Sequence, residues 1–396
     1  MDNMPATAFA SNPKNGINPE RFELLDTLVD SFIEKEYKQF FVVRAHRFSV
    51  PIYEYCAGEN TKPYGLKQDS ITPVFSCTKP ITAVLIMKLQ EDGILDVCDP
   101  VISYLPWLGA GKDGIQIWHL LTHTSGIIDE DFFKYSGEFC DKFFGLKEPG
   151  DDAKHEEWEE YHNKVKEKIG LPVISSRDEV DRYFLERFTL TRTPREIMSY
   201  GMTAFNLLGD VITAATGKSI DEYAREALFE PLGMTNSHFI VPEKKYDRVI
   251  GRKEGATGVP WINSSDCMSN THAQNGLKTT VEDLCRFGDM VLARGELDGK
   301  IILSPASIRE MSENHNYDLP NAWDSWSLGW NLRGKKKDDA GILRSAVSLE
   351  HGGWAGSKVL CDPVYGLSLA IFSGEWKESP KSGLNNIINV IYSALR

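Results

Sequence analysis

The run Ile81-Thr82-Ala83-Val84-Leu85-Ile86-Met87-Lys88-Leu89-Gln90 reads as a helix buried inside a fold and stopped by Gly93. Before it stands a short, apolar, strand-like run, Pro73-Val74-Phe75. Between the two, Ser76-Cys77-Thr78-Lys79 sets a serine and a lysine three residues apart. Positions i and i+3 share a helical face, so hydroxyl and amine can meet. An apolar setting favours the neutral amine, and a neutral lysine can take the proton of a serine and make it a nucleophile. Ser11 and Lys14 repeat the spacing, but among Asn12, Pro13, Asn15 and Gly16, in a polar tail without apolar periodicity. Context favours Ser76. Pro80 directly follows Lys79 and pushes it away from helical geometry, so either the helix starts later or its first turn is irregular.

Enclosing such a helix is easy for 396 residues, enough for two or three domains or one large enzyme with an insertion. The net charge of −13 and the lack of a basic block argue against nucleic acid as a partner. Neither a Rossmann nor a P-loop glycine motif is present, so no nucleotide cofactor is expected, and no internal repeat is seen. No stretch is apolar over the length of a bilayer span, and Met1 to Asn18 has no signal-peptide pattern. The seven cysteines are scattered and unpaired by motif, which suits reduced thiols. The expected location is the cytoplasm.

Residues 1–19 read as a flexible tail. Phe22–Glu36 has the spacing of an amphipathic helix, and Gln39–Arg44 with Ser49–Cys56 reads as a hairpin. Near the end, Ser327–Leu332, Ala346–His351, Ser357–Asp362 and Gly366–Ser373 read as strands, and Ser382–Leu395 as a helix. The expected fold class is α/β (α+β): an antiparallel sheet flanked by helices, built from 20–80 and 320–396, plus a mainly helical domain over 81–319. Within the latter, 129–193 mixes acidic runs with Phe132, Phe133, Phe143 and Phe144. It reads either as a solvated insertion or as a lid over a substrate pocket, with some aromatic residues facing that pocket.

Three stretches together resemble the serine β-lactamases and DD-peptidases of the class C type, with the family VIII carboxylesterases and lovastatin-type acyltransferases nearest in motif. Phe75-Ser76-Cys77-Thr78-Lys79 is similar to the Ser-x-x-Lys motif. Tyr200-Gly201-Met202-Thr203-Ala204-Phe205-Asn206-Leu207-Leu208-Gly209 is similar to the stretch that begins Tyr-Ser-Asn in lactamases. His351-Gly352-Gly353-Trp354-Ala355-Gly356 is similar to the Lys-Thr-Gly strand, often His-x-Gly in relatives. Leu120 to Gly126 and Glu230-Pro231-Leu232-Gly233-Met234 are further landmarks, and order and spacing agree over residues 20–396.

The resemblance implies a β-lactamase/transpeptidase-like fold and an acyl-enzyme on Ser76, with Lys79 and Tyr200 sharing the proton work. It also implies an oxyanion hole from the N–H groups of Ser76 and Trp354, with Gly352 and Gly353 keeping the strand open, and His351 lining the site. Met202 stands where lactamases have asparagine and His351 where they have lysine. Both departures point away from β-lactam turnover and toward a small-molecule ester or amide. Competing readings are a β-lactamase, D-amino-acid amidase or D-peptidase, and a non-catalytic binding protein that keeps the fold. Out of context Tyr200 reads as a half-buried core tyrosine, Met202 as a gap filler and Cys77 as packing. His119 and His123 have zinc-like spacing without the metalloprotease glutamate or a third ligand, so no metal is expected. Without a Gly-x-Ser-x-Gly elbow, an α/β-hydrolase triad has no foothold. Oligomeric state is open.

Overall fold

The computed structural model describes residues 16–150, 155–173, 177–319, 325–337, 340–376 and 383–396. By backbone contacts the chain divides into two units. One takes the chain up to Leu95 and again from Thr216 onward, and the other is Asp96–Ala215.

The first unit holds a six-stranded antiparallel sheet. Its strands are β1 (Lys38–Arg47), β2 (Val50–Gly58), β7 (Asn331–Leu332), β8 (Leu349–Gly353), β9 (Ser357–Asp362) and β10 (Leu367–Glu375), in the order β2-β1-β10-β9-β8-β7. Two small ribbons complete the set: β3 (Thr72–Pro73) with β4 (Lys278–Thr279), and β5 (Glu296–Leu297) with β6 (Lys300–Ile301). The sheet therefore joins the two chain ends. Side chains alternate across a strand, which assigns the faces. Phe41, Val43 and Ala45 of β1, with Leu367, Leu369 and Ile371 of β10, pack on the helices Pro19–Glu34 and Leu384–Ala394 through Leu25, Val29, Ile387 and Ile391. Each of these is at most a few per cent exposed, and burying an aliphatic side chain of this size stabilises by about 1.5–3 kcal/mol.

The opposite face is covered by Val281–Leu292. There Gly288 lies so close to β9 and β10 that a Cβ would sit 2.4 Å from Ser368 Oγ and 3.1 Å from Cys361 Sγ. His46 and Asp289 pair at 2.6 Å across the same layer. The helices of 81–95 and 216–319 fall in the unit that holds the sheet.

Two sequence expectations need correction. Ser327–Leu332 is strand only at Asn331–Leu332, because Ser327 N–H bonds to Trp330 O in a turn at Gly329. Gly329 has φ +79°, and a Cβ there would lie 2.5 Å from Ala83 Cβ, so the chain bends against the buried helix. Ala346–His351 becomes strand only from Leu349 and runs on to Gly353.

In the second unit, the helices Asp129–Phe139, His155–Ile169 and Arg177–Arg187 gather the aromatic residues of the acidic segment. Phe132 meets Phe188 at 5.7 Å, and Phe139 meets Phe184 at 5.7 Å and Phe143 at 4.6 Å. Tyr161 and Val165 are buried as well. The segment has a core of its own, so its phenylalanines satisfy one another and burial does not force them toward a pocket. Phe143 alone among them is 61% exposed. No helix among the described residues is long and apolar enough to cross a membrane.

Candidate active site

The buried helix runs from Thr78 to Glu91, after a single 3-10 turn at Phe75–Cys77. The irregularity lies in the turn that leads into it and not in the helix, which takes in Lys79 and Pro80: Phe75 has φ +49°, a left-handed conformation that a bulky side chain rarely adopts. Starting at Thr78 places Pro80 among the first positions, whose N–H groups have no intrahelical acceptor, so the proline removes no bond. Ser76 thereby stands on a sharp corner between β3 and the helix, half-buried, while its neighbours Phe75 and Cys77 are buried.

One turn on, Lys79 is fully buried. Its Nζ lies 3.1 Å from Ser76 Oγ, 3.2 Å from Gln274 O and 3.5 Å from Gln274 Oε1. An amine donates, so all three oxygens accept, and the lysine is aimed at the serine by a residue far along the chain. Gln274 is itself buried, and its loop is pinned to the helix by Thr82 Oγ1 donating to Ala273 O at 2.7 Å and by Leu277 N–H donating to Thr78 Oγ1 at 3.1 Å. No local motif marks Gln274, and the sequence did not single it out.

The end of β8 closes on the same corner. Cys77 Sγ lies 3.1 Å from His351 O, and Ser357 Oγ donates to Val74 O at 2.7 Å. A Cβ on Gly353 would fall 2.1 Å from Val74 O, so only glycine permits this approach. Trp354, next in line, is 57% exposed and meets Phe75 edge-on at 5.3 Å. Burial pushes the Cys77 thiol up to about 12, so it carries no thiolate near neutral pH and serves as packing. His351 is 3% exposed, and its Nδ1 lies 2.8 Å from Gly352 O. A carbonyl only accepts, so Nδ1 carries the hydrogen and Nε2 is an acceptor.

Burial first, then the charge of Lys79, hold His351 down at about 3. Burial first, then Arg195, hold His119 at about 4. An unfolded histidine titrates near ~6.5, so between that value and the folded one the unfolded state binds more protons. Stability from these rings is fully present above pH ~6.5 and drains as pH falls toward the folded values. Urea unfolding is therefore expected to show a lower free energy at pH 5.0 than at pH 7.5, by on the order of 1–2 kcal/mol per ring. The difference should shrink in His119→Gln; an equal drop in that variant means the ring takes no part.

In the second unit, Tyr200 and Met202 stand on the loop before the helix Thr203–Thr216. They are 46% and 44% exposed, so neither is core packing nor a gap filler. His123, with φ +57°, holds this loop: its carbonyl accepts from Ser199 N–H at 2.8 Å and its Nδ1 from Gly201 N–H at 3.3 Å. Its ring packs on Tyr200 at 4.6 Å. Gly126 is required where a Cβ would lie 2.3 Å from Arg192 O. Asp129 accepts from Met202 N–H at 2.6 Å and from Thr203 N–H at 3.0 Å. The sequence missed this carboxylate, although it stands three residues after the Gly126 landmark. His119 accepts from Gln116 N–H at 3.0 Å through Nδ1, so both histidines of the zinc-like pair are engaged with backbone. The structure thus brings Ser76, Lys79, His351, Gly353 and Trp354 together in one unit, and Tyr200 with Met202 in the other.

The family model described as Beta-lactamase matches residues 52–389. The N-acetylmuramyl-L-alanine amidase of Bacillus subtilis (strain 168) is 22% identical over 386 residues, spanning 84% of this chain and 78% of that one. Among solved structures, EstCE1, "a hydrolase with promiscuous acyltransferase activity", superposes with a TM-score of 0.70 at 18% identity, covering 94% of this chain and 99% of that one. A family VIII carboxylesterase superposes with a TM-score of 0.66 at 15% identity, covering 96% and 99%. At such identities these likenesses establish the fold, an antiparallel sheet with helices of the β-lactamase/transpeptidase type.

Proposed function

Because the chain belongs to the Beta-lactamase family of serine hydrolases, we propose that it is an esterase or acyltransferase that forms an acyl-enzyme on Ser76. The observation that carries this is the 3.1 Å approach of a fully buried Lys79 to Ser76 Oγ. In the proposed cycle Ser76 Oγ attacks the acyl carbonyl and its proton passes to the Lys79–Tyr200 pair. The same pair returns a proton to the leaving group, and water or a second alcohol then takes the acyl group. Tyr200 as a member of that pair rests on its motif and its exposure on a loop fixed by His123. The N–H groups of Ser76 and Trp354 are assigned to the developing oxyanion, in keeping with the glycine-only approach of β8 to Val74.

The substrate reading follows from charge. His351 is neutral at physiological pH, so the site lacks the fixed cation that an anionic acyl donor would need there. Met202 offers no amide, and Trp354 presents an exposed aromatic face. An uncharged small-molecule ester fits this set. The name of the Bacillus relative favours amide hydrolysis as the second reading. All seven cysteines are free thiols, which supports assignment to a reducing, cytoplasmic compartment.

The test is a chromogenic pair, p-nitrophenyl butyrate and nitrocefin, run on wild type and Ser76→Ala. Ester turnover that depends on Ser76, with little nitrocefin turnover, is the expected result. Nitrocefin turnover alone moves the assignment to the lactamase and amidase side, and silence on both leaves a non-catalytic protein.

A further inference from the structure

Around the loop that carries Tyr200, four backbone N–H groups between positions 199 and 203 are taken up by His123 and Asp129. Ser199 and Gly201 donate to His123, and Met202 and Thr203 donate to Asp129. We propose that Asp129 is a positioning residue for Tyr200: its carboxylate clasps the backbone at Met202 and Thr203 and sets the direction in which the phenol projects. This rests on the assignment of Tyr200 to proton transfer given above.

The clasp has a physical reason to exist. The first N–H groups of Thr203–Thr216 need acceptors, and Asn, Asp, Ser or Thr normally supplies one from the residue just before the helix. Here that residue is Met202, which has no oxygen to offer. The acceptor comes instead from Asp129, at a sequence separation of 73 residues, with one oxygen on each N–H. Bonds to a carboxylate are stronger than neutral ones, and the negative charge suits a helix N-terminus. Gly201 lies directly against the carboxylate, since a Cβ there would be 2.9 Å from Asp129 Oδ1.

A single acceptor would cap the helix. Two oxygens on consecutive N–H groups fix orientation as well. That bears on Tyr200, whose side chain is 46% exposed and packs on the His123 ring at 4.6 Å, on the same short loop that the carboxylate holds. Asp129 is also the first residue of the helix Asp129–Phe139, so the clasp ties the aromatic insertion to the tyrosine.

The experiment compares kcat, KM, the pH profile of kcat and melting temperature on p-nitrophenyl butyrate. The proteins are wild type, Asp129→Ala, Asp129→Asn, Tyr200→Phe, the Tyr200→Phe/Asp129→Ala double variant and Asp131→Asn. Misplacing a reacting group by about an ångström costs roughly 100-fold, so Asp129→Ala should lower kcat roughly 10- to 100-fold. KM should stay within about threefold and the pH profile of kcat should shift. Asp129→Asn keeps one acceptor oxygen and should recover part of the loss. In the Tyr200→Phe background the alanine should cost less than about twofold, since no phenol is left to position.

Three outcomes overturn the clasp: a lower melting temperature with unchanged kcat and pH profile, an undiminished loss in the Tyr200→Phe background, or the same loss in Asp131→Asn. The last variant loosens the same helix at its Thr191 contact without touching the loop. If Asp129→Ala does not fold, Asp129→Asn carries the test, and an unaltered kcat and profile there sink the proposal. A fully active Tyr200→Phe removes the assignment of Tyr200 and the clasp with it. An inactive Tyr200→Phe beside a wild-type-like Asp129→Ala removes the clasp alone.

Discussion

Ser76→Ala is expected to lower ester hydrolysis by at least about two to three orders of magnitude, with the fold intact. A loss of a thousandfold corresponds to about 4 kcal/mol of transition-state stabilisation, more than any binding contact of one hydroxyl supplies. The fold should survive because Ser76 is half-buried on the corner, and the bonds that hold that corner run through its neighbours. Thr78 Oγ1 donates to Phe75 O at 2.6 Å, and Cys77 and Ser357 tie it to β8 and β9. A phosphonate or slow ester should leave its adduct on Ser76. Ser76 and Cys77 fall on one peptide, so fragmentation must resolve the two. The thiol beside it, pushed up to about 12 by burial, should stay unmodified. Activity near wild type in Ser76→Ala, or an adduct on Cys77, means the nucleophile lies elsewhere.

What singles out Ser76 in the sequence is a coincidence of local signals: a Ser-Lys spacing, an apolar helix after it and a strand-like run before it. Two central strands were legible as short apolar runs, Val359-Leu360-Cys361 in β9 and Leu369-Ala370-Ile371-Phe372 in β10. The long-range pieces were not. Gln274 meets Lys79 across 195 positions, and nothing in its local sequence announces a contact. Asp129 looks like one acidic residue among Asp129, Glu130 and Asp131 until the helix start at Thr203 is placed beside it.

Turns were a weaker guide than the strands beside them. The β1–β2 hairpin closes through Phe48 and Ser49 with φ +49° and +62°, positions usually given to Asn and Gly, so tertiary packing overrides the turn chemistry there. At Gly329 the reverse happened: an apolar run that reads as strand is broken by one glycine bent against the buried helix. The aromatic residues of 129–193 signalled burial correctly, but sequence composition cannot distinguish a pocket wall from a small private core. The helix boundaries suffered least, because Gly93 at φ +67° ends the buried helix where its position implied.

Lys79→Ala and Tyr200→Phe are each expected to be nearly as damaging as loss of the nucleophile, and their combination little worse than the poorer single variant. Positioned proton transfer contributes about 100- to 10,000-fold. If the two residues were independent, the double variant would lose the product of the two factors. If they form one proton-transfer unit, removing either disables it, and the second removal finds little left to take. The surroundings of Lys79 favour the second case. Its amine is fully buried and held on Ser76 Oγ and the two oxygens of Gln274, so it has no solvent through which to exchange a proton and needs a partner that does. Tyr200, 46% exposed on a loop clamped by His123 and Asp129, has the access that Lys79 lacks. A phenol has an ordinary pKa near ~10, so sharing a proton at neutral pH requires positive charge to favour the phenolate, and under the proposed assignment Lys79 would supply it. The measurement is kcat/KM on one ester for all four proteins of the cycle. A double variant within about tenfold of the worse single variant supports the shared unit, whereas losses that multiply assign the two residues to separate steps.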